Sequence, residues 1–201
     1  MITFSYKKAR EIIKKYGTGY YRATFLFPKD MRMATWIYYQ FVRTPDQFVD
    51  DVSVKNGKSK LLEFEDQWQK AERGESTTPF FNEYRKILEQ YKIPHEYNQS
   101  FLKTMEQDLV VSRYDTYQEL EKYMYGSATV VGYTMSHIIG FKEGALPYAR
   151  SLAEAFQMTN FLRDIKEDFD ERGRIYIPLE DMNRFGVTES HIEKGIVDEK
   201  W

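Results

Sequence analysis

The chain has 201 residues, of which 42% are hydrophobic and 16% aromatic, and it contains no cysteine. This length and composition predict one folded domain over residues 1–201 with a sizeable core, and they exclude a disordered chain. The 29 basic and 31 acidic residues give a net charge of −2, so the chain lacks the basic surplus of nucleic-acid-binding proteins. Without cysteine it can form no disulfide, zinc–thiolate site or thiol nucleophile, which agrees with a reducing compartment.

The N-terminal segment has no apolar stretch of the kind that a signal peptide needs. The longest mostly apolar run, from Ala128 to Phe141, contains Ser136 and His137 and is too short to cross a bilayer. We therefore expect a cytoplasmic protein, with peripheral membrane association left open as an alternative.

Hydrophobic residues recur at three- and four-residue steps along most of the chain, which is the period of an α-helix. The first such stripe begins at Met31 and continues to Val49. Breaks at glycine, asparagine or proline separate it from further predicted helices over 60–73, 80–91, 95–111, 117–141 and 147–171.

The chain beyond residue 171 contains shorter predicted elements. The extended piece RIYIP follows Gly173, and a helix of about one turn is predicted between Pro178 and Gly186. Ser190 and Glu193 have the spacing of a capping box for a last short helix. Because strand-like alternation is nearly absent elsewhere, the predicted fold class is all-α.

Acidic side chains interrupt the apolar pattern of the first long helix. In FVRTPDQFVDD, Asp46 and Asp50 are four residues apart and so share a helix face, with Cβ atoms roughly 5–6 Å apart. Arg43 lies one turn earlier on that face, and Tyr39 lies another turn back. Pro45 directly precedes the first aspartate, and a proline inside a helix costs roughly 3 kcal/mol, so we expect either a kink or a re-aimed motif.

A second polar stripe lies in QMTNFLRDIKEDFDERGR, where acidic and amide side chains follow at steps of three, four and four: Gln157, Asn160, Asp164 and Asp168, with Arg163 beside them. Paired carboxylates raise each other's pKa unless a cation compensates. Mg²⁺ prefers such oxygen ligands together with phosphate oxygens, and arginines bind diphosphate in bidentate fashion. One stripe alone is usually a solvated helix face, but two stripes with adjacent arginines favour a Mg²⁺–diphosphate site.

Three segments resemble the squalene/phytoene synthases, which are head-to-head prenyl diphosphate synthases. They are YYRATFLFPKDMRMATWIYYQFVRTPDQFVDD, TMEQDLVVSRYDTYQELEKYMYGSATVVG and FQMTNFLRDIKEDFDERGRIYIPLEDMNRFGV. The resemblance runs from about Ala9 to Gly195 and implies an isoprenoid-synthase-type helical bundle around a central cavity. Because family members continue for several more helices, it also implies that this domain is C-terminally truncated.

The resemblance implies a set of metal ligands around Mg²⁺-bridged diphosphates, namely Asp46, Asp50, Asn160, Asp164 and Asp168. The four aspartates are also the expected catalytic residues, because they hold the ion that stabilises the leaving diphosphate. The family's diphosphate-contacting arginines correspond to Arg43 and Arg163.

The remaining residues implied by the resemblance lie around the prenyl chains. Tyr123 matches a catalytic tyrosine near the reacting prenyl groups, and Ala128 and Gly132 match small residues that leave room for a prenyl tail. Tyr39 and Gln157 are expected substrate contacts. The segment GTGY departs from the family's Ser-x-Ser-Phe-like stretch, so no phosphate contact is assigned there, and no role is assigned to Asp108.

The activity implied is Mg²⁺-dependent head-to-head condensation of two prenyl diphosphates, with phytoene synthesis from geranylgeranyl diphosphate as the leading hypothesis. Squalene or dehydrosqualene synthesis from farnesyl diphosphate is an alternative, because sequence does not show pocket depth. A truncated, non-catalytic prenyl-diphosphate-binding subunit is another, with a second chain supplying the missing helices. A head-to-tail synthase or terpene cyclase is disfavoured, because Gln47 interrupts the Asp-Asp-x-x-Asp pattern of those enzymes.

Overall fold

The computed structural model describes residues 4–50, 54–75 and 78–201, so Asp51, in the first acidic segment, lies outside the described residues. Within these ranges there is no β-strand, which confirms the all-α fold class. The described helices are α1 (Phe4–Tyr16), α2 (Thr18–Ala23), α3 (Lys29–Asp50), α4 (Gly57–Glu72), α5 (Pro79–Tyr91), α6 (His95–Asp108), α7 (Tyr117–Met124), α8 (Val130–Ile139), α9 (Leu146–Arg172), α10 (Leu179–Phe185) and α11 (Glu189–Lys194).

The helix predicted over 117–141 is divided in the structure. A π-helical turn, Tyr125–Thr129, separates α7 from α8. Gly126, the second residue of this turn, packs against α6 so closely that an added Cβ would overlap Thr104 Oγ1 and lie 2.8 Å from the Ser100 carbonyl oxygen. The hydrophobic pattern does not reveal this turn, because a π-turn inserts one residue without removing the apolar character on either side.

Two predicted helix ends are wrong, namely the C-terminal end of α6 and the N-terminal cap of α11. Helix α6 ends at Asp108, three residues before the predicted end at Val111. The capping box of α11 is formed by Thr188 and His191, whereas the sequence spacing had suggested Ser190 and Glu193. A histidine side chain thus takes the place of the usual Glu or Gln and bonds back to the N-cap backbone.

Helix α3 is the central helix of the fold and packs against α1, α4, α5, α6 and α8. Its N-terminal two thirds carry the buried apolar face, and its last two turns carry the acidic pair. The helix continues through Pro45 to Asp50, so the proline does not end it before the aspartates. The same rigid element therefore anchors the core and presents the polar residues.

Phe41 lies at the centre of an aromatic core. Its ring centroid lies 4.3 Å from that of Tyr84 and 5.2 Å from that of Trp68. The buried hydroxyl of Tyr84 donates to Asn98 Oδ1 at 2.7 Å. Tyr38 and Phe41, although aromatic and near the acidic stripe in sequence, are core residues, because only 3% and 0% of their surfaces are exposed.

A second apolar cluster lies between α7 and α9 and contains Tyr114, Leu120, Tyr123, Met124, Phe161 and Tyr176. The extended segment that follows α9 runs alongside residues 112–115. Two backbone hydrogen bonds hold it there, from Ile175 N to the Ser112 carbonyl at 3.0 Å and from Leu179 N to the Tyr114 carbonyl at 2.9 Å. This pairing places Arg174 and Tyr176 close to the C-terminal end of α6.

Helix α9 is the longest of the described helices and packs against α8 and α11. It leaves apolar side chains on its outer surface, each more than half exposed: Tyr148, Leu152, Phe156 and Leu162. Across the described ranges, no helix has both the length and the apolar character that a membrane crossing requires.

Glu65 of α4 is an acidic side chain inside the bundle, with only 8% of its surface exposed. Burial, together with the neighbouring carboxyl of Glu106, raises the pKa of Glu65 to about 7. In the folded state this carboxyl is therefore mainly protonated below about pH 7.

We predict that Glu65→Gln removes a pH-dependent loss of stability. The folded protein binds a proton at Glu65 that the unfolded chain releases near its ordinary pKa of 4.5, so wild-type stability decreases as the pH rises from about 4.5 to 7. Urea denaturation across this range should show that the free energy of unfolding of the variant increases relative to that of the wild type as the pH rises. Glu63→Gln, at an exposed site of the same helix, should follow the wild-type profile, and parallel profiles for Glu65→Gln would contradict the prediction.

Candidate active site

The two acidic stripes meet at the guanidinium of Arg172, the last residue of α9. Its Nη1 lies 3.1 Å from Asp168 Oδ1, and its Nε lies 3.9 Å from Asp50 Oδ1. The end of α3 and the C-terminal half of α9 therefore bring together carboxylates that are more than a hundred residues apart in sequence. The stripes face each other across this arginine and do not lie on opposite surfaces.

Arg174 is a second cation at the same place and is buried, with 6% of its surface exposed. Its Nη1 donates to Asp50 Oδ1 at 2.6 Å, and its Nη2 donates to the backbone carbonyl of Asp108 at 2.9 Å. The extended segment after α9 delivers this side chain into the site. Asp50 is consequently held between two arginines.

The first aspartate of each stripe has its own arginine on the same helix. Arg43 donates to Asp46, and Arg163 Nε donates to Asp164 Oδ1 at 2.7 Å. The hydrogen bond from Arg163 lowers the pKa of Asp164. Arg163 is exposed, so this guanidinium is free to exchange its carboxylate for another anion.

Burial raises the pKa of Asp46 to about 6, and repulsion from Asp50 adds to the rise while Arg43 opposes it. Burial also raises the pKa of Asp168 to about 6, against the effect of Arg172. The surroundings of both carboxyls therefore disfavour their charged forms in spite of the nearby arginines. Additional positive charge at this point would stabilise the ionised carboxylates.

The donor set fits a hard divalent cation. Carboxylate oxygens converge from α3 and α9, and Asn160 lies one helical turn before Asp164 on α9. In the part of the chain that the structure describes, no group of three or more His, Asp or Glu side chains lies close enough together to hold a metal ion by itself, and the carboxylates of the site are paired with arginines. Mg²⁺ usually takes one or two protein carboxylates plus water and phosphate oxygens, which is compatible with such an open arrangement.

The turn between α1 and α2 lies beside the residues of α3 that precede the acidic pair. A Cβ at Gly17 would lie 2.8 Å from Tyr39 Oη, so a larger residue here would displace the ring of Tyr39. The guanidinium of Arg43 lies over the ring of Tyr16, 5.2 Å from its centroid. Gly17, the first residue of the segment GTGY, thus lies beside Tyr39, although the sequence of this segment departs from the family pattern.

Tyr123 lies in the second apolar cluster, beside the second acidic stripe. Its ring is 6.3 Å from that of Phe161, which directly follows Asn160 on α9. Its hydroxyl donates to Asp108 Oδ2 at 3.1 Å and lies 3.5 Å from the hydroxyl of Tyr176. The structure therefore places this tyrosine next to the acidic stripes, in apolar surroundings.

The remaining residues that the sequence predicts to contact the substrates lie near the interface between α8 and α9. Ala128 is buried in the π-helical turn. A Cβ at Gly132 would lie 3.1 Å from the Cβ of Ala153, so this glycine allows close helix packing. Gln157 and Asn160 are half-buried on α9. Their contacts with a prenyl chain or diphosphate stay predictions.

Sequence reasoning missed three residues of the site: Arg172, Arg174 and Tyr176. Arg172 continues the second stripe by one further step of four after Asp168, so helical spacing alone would have found it. Arg174 and Tyr176 belong to the extended piece RIYIP, which lies in the third segment of the family resemblance, but no role was predicted for either residue. Only the fold shows that this piece turns back toward Asp50.

We predict that Arg172→Gln destabilises the protein, because it leaves Asp50 and Asp168 with less compensating charge. The expected loss is about 1–3 kcal/mol in the free energy of unfolding at neutral pH, measured by urea denaturation without divalent ions. Lys166→Gln removes an exposed ion pair with Asp170 on the same helix and should cost at most about 1 kcal/mol. Equal losses in the two variants would show that Arg172 has no special role.

Comparison with known proteins identifies relatives over nearly the whole chain. The profile of the Squalene/phytoene synthase family matches residues 13–201. The 15-cis-phytoene synthase of Synechocystis sp. is 30% identical over 98% of this chain and 62% of its own length. A chloroplastic phytoene synthase of Daucus carota is 30% identical over 100% of this chain and 52% of its own length. The chain thus spans about half to two thirds of these relatives.

Solved structures with similar folds cover the chain to the same extent. A squalene synthase from Alicyclobacillus acidocaldarius superposes with a TM-score of 0.86 at 23% identity, covering 98% of this chain and 74% of that structure. A dehydrosqualene synthase solved in complex with a ligand gives a TM-score of 0.87 at 26% identity, covering 98% and 69%.

Proposed function

The chain belongs to the squalene/phytoene synthase family, and we propose that it carries out the Mg²⁺-dependent head-to-head condensation of two prenyl diphosphates, forming phytoene from geranylgeranyl diphosphate. The observation that carries this proposal is the convergence of two aspartate pairs, one from α3 and one from α9, with four arginines around them. Acidic pairs facing each other supply metal ligands, and arginines beside them supply contacts for diphosphate oxygens.

In this mechanism the carboxylates of Asp46, Asp50, Asp164 and Asp168, with the amide oxygen of Asn160, would hold Mg²⁺. When bound, the ion would supply Lewis-acid stabilisation of the charge that develops on a departing diphosphate. Arg43 and Arg163, which now pair with aspartates on their own helices, would bind diphosphate oxygens. Arginines suit this role because their planar donors match phosphate geometry.

The departing diphosphate leaves an allylic cation, which must be kept from water until it adds to the double bond of the second prenyl diphosphate. Tyr123, Phe161 and Tyr176 form an aromatic cluster directly beside the acidic stripes, and the rings of Phe161 and Tyr176 stack at 4.2 Å. Aromatic faces stabilise nearby cations, and an apolar pocket excludes competing water. We infer that the prenyl groups react on the side of α9 that carries this cluster, with Tyr39, Gln157, Ala128 and Gly132 contacting the substrates.

The proposed substrate rests on the named relatives, because two phytoene synthases are 30% identical to this chain. Farnesyl diphosphate, giving squalene or dehydrosqualene, is the alternative, and the 26% identical dehydrosqualene synthase favours it. Incubation of the chain with each radiolabelled diphosphate and Mg²⁺, followed by hydrocarbon extraction, tests the assignment. We expect phytoene from geranylgeranyl diphosphate, and preferential conversion of farnesyl diphosphate would overturn the choice of substrate.

We predict that Asp50→Asn and Asp164→Asn each lower turnover by at least about 100-fold, the size of effect expected when charge stabilisation in the transition state is lost. Asp66→Asn, at an exposed position of α4, is the matched control and should keep wild-type turnover. Isothermal titration of Mg²⁺ in the presence of a non-hydrolysable prenyl diphosphate should show weaker binding to the two site variants. Full turnover by either variant would refute the metal assignment.

A second candidate function is that of a prenyl-diphosphate-binding subunit that needs helices from a second chain. The exposed apolar side chains of α9, with Tyr148 79% and Phe156 63% exposed, favour this reading, because soluble monomers rarely leave large apolar patches uncovered. Diphosphate binding without product, with activity only after a second chain is added, would support it. Turnover by the isolated polypeptide would count against it.

We propose a cytoplasmic location, with peripheral association to membrane as the alternative because the product is a hydrocarbon. Flotation with phospholipid vesicles, with and without product in the bilayer, separates the two. Recovery of the chain in the lipid fraction would favour membrane association.

A further inference from the structure

Asp108 is a buried acidic residue to which the proposed mechanism gives no role. It ends α6, and only 8% of its surface is exposed. Burial raises the pKa of Asp108 to about 7, and Arg174 acts in the opposite direction. A carboxyl held in such surroundings is costly unless it has a specific partner.

The partner of the Asp108 side chain is the hydroxyl of Tyr123, which donates to Oδ2 at 3.1 Å. The other oxygen, Oδ1, is buried without a hydrogen-bond partner in the part of the chain that the structure describes. The Asp108 carboxyl thus accepts one side-chain hydrogen bond, from Tyr123, through one of its two oxygens.

A series of polar contacts connects this tyrosine to the acidic stripes. Arg174 Nη1 donates to Asp50 Oδ1 at 2.6 Å and to the Tyr176 hydroxyl oxygen at 3.3 Å. The hydroxyl of Tyr123 lies within reach of two acceptors, the Tyr176 hydroxyl at 3.5 Å and Asp108 Oδ2 at 3.1 Å. Since a hydroxyl has one proton, the shorter contact makes Asp108 the principal acceptor for Tyr123.

Arg174 also contacts the main chain of Asp108, the residue whose side chain accepts from Tyr123. Arg174 Nη2 donates to the backbone carbonyl of Asp108 at 2.9 Å. The same guanidinium therefore fixes the end of α6, which carries Asp108, and the aspartate of α3 that faces the second stripe. Any displacement of the Tyr123 oxygen relative to Asp50 would have to break one of these contacts.

We propose that Asp108 is a positioning residue, which holds the Tyr123 hydroxyl in one orientation and, through Arg174 and Tyr176, at a set distance from Asp50 of the first acidic stripe. This inference rests on the proposed function, because it takes Tyr123 to act near the reacting prenyl groups. A tyrosine oxygen must be held in place to act on a short-lived cation, since misplacement by about 1 Å can cost on the order of 100-fold in rate.

The first test reads the tyrosine itself and needs no turnover. All 16 tyrosines carry ¹³C at Cζ, whose chemical shift reports the hydrogen bonding of the hydroxyl, and Tyr123→Phe assigns one signal by its loss. We expect Asp108→Asn to shift that signal, with circular dichroism showing an unchanged helix content. The control variant is Asn98→Ala. Asn98 lies on α6, as Asp108 does, and accepts the buried hydrogen bond of Tyr84. This variant should leave the chemical shift of Tyr123 unchanged.

The second test measures turnover with geranylgeranyl diphosphate and Mg²⁺. Asp108→Asn should lower kcat by about 10- to 100-fold, as is typical when a residue that orients a catalytic group is changed, with KM unchanged. The double variant Asp108→Asn/Tyr123→Phe should be no slower than Tyr123→Phe alone, because the two residues act as one unit. Asn98→Ala should keep the wild-type kcat.

The outcomes separate this inference from the proposed function. An unmoved Tyr123 signal in Asp108→Asn, or rate losses that multiply in the double variant, would overturn the positioning role even if the chain makes phytoene. A shifted signal in a chain that makes no hydrocarbon would support the contact between Asp108 and Tyr123 and refute the proposed function.

Discussion

The structure depends on one electrostatic constraint, which is that carboxylates from α3 and α9 are held close together by arginines from the end of α9 and the segment after it. Asp50 receives Arg174 directly and lies near Arg172, and Asp168 receives Arg172. Without these cations the two helices would bring like charges together in a partly buried place, which is costly. The arginines therefore allow a polar site to exist beside two apolar clusters.

Much of this arrangement could be predicted from the sequence, because helical periodicity is a strong signal and the acidic pairs keep a four-residue step. The all-α fold, the course of α3 and the membership of both aspartate pairs in one family pattern followed from spacing and motif. Spacing does not separate site from core on one helix: Phe41, only five residues before Asp46, belongs to the core, where it packs against Tyr84 and Trp68.

Other features were not accessible, because they depend on contacts between distant segments. Nothing in the local sequence shows that the extended piece after Gly173 pairs with residues 112–115, and that pairing alone brings Arg174 to Asp108. The division of α7 from α8 also follows from a tertiary contact, namely the approach of Gly126 to Thr104. Local patterns carry information on helix faces, while the hydrogen bonds between the ends of different helices arise only in the folded chain.

The π-helical turn at Tyr125–Thr129 has a consequence for how this chain tolerates changes in length. A π-turn holds one residue more than the corresponding α-helical turn, so deleting a single residue there would restore a continuous helix. Because the extra residue is absorbed within one turn, the side chains of α7 and α8 would keep their relative directions, and Tyr123 would stay in the apolar cluster that it shares with Phe161. A single-residue deletion inside α7 itself would instead rotate the side chains before it by about 100° relative to α8. The π-helical turn is therefore the place in this stretch where the chain can lose one residue without changing which side chains face the cluster.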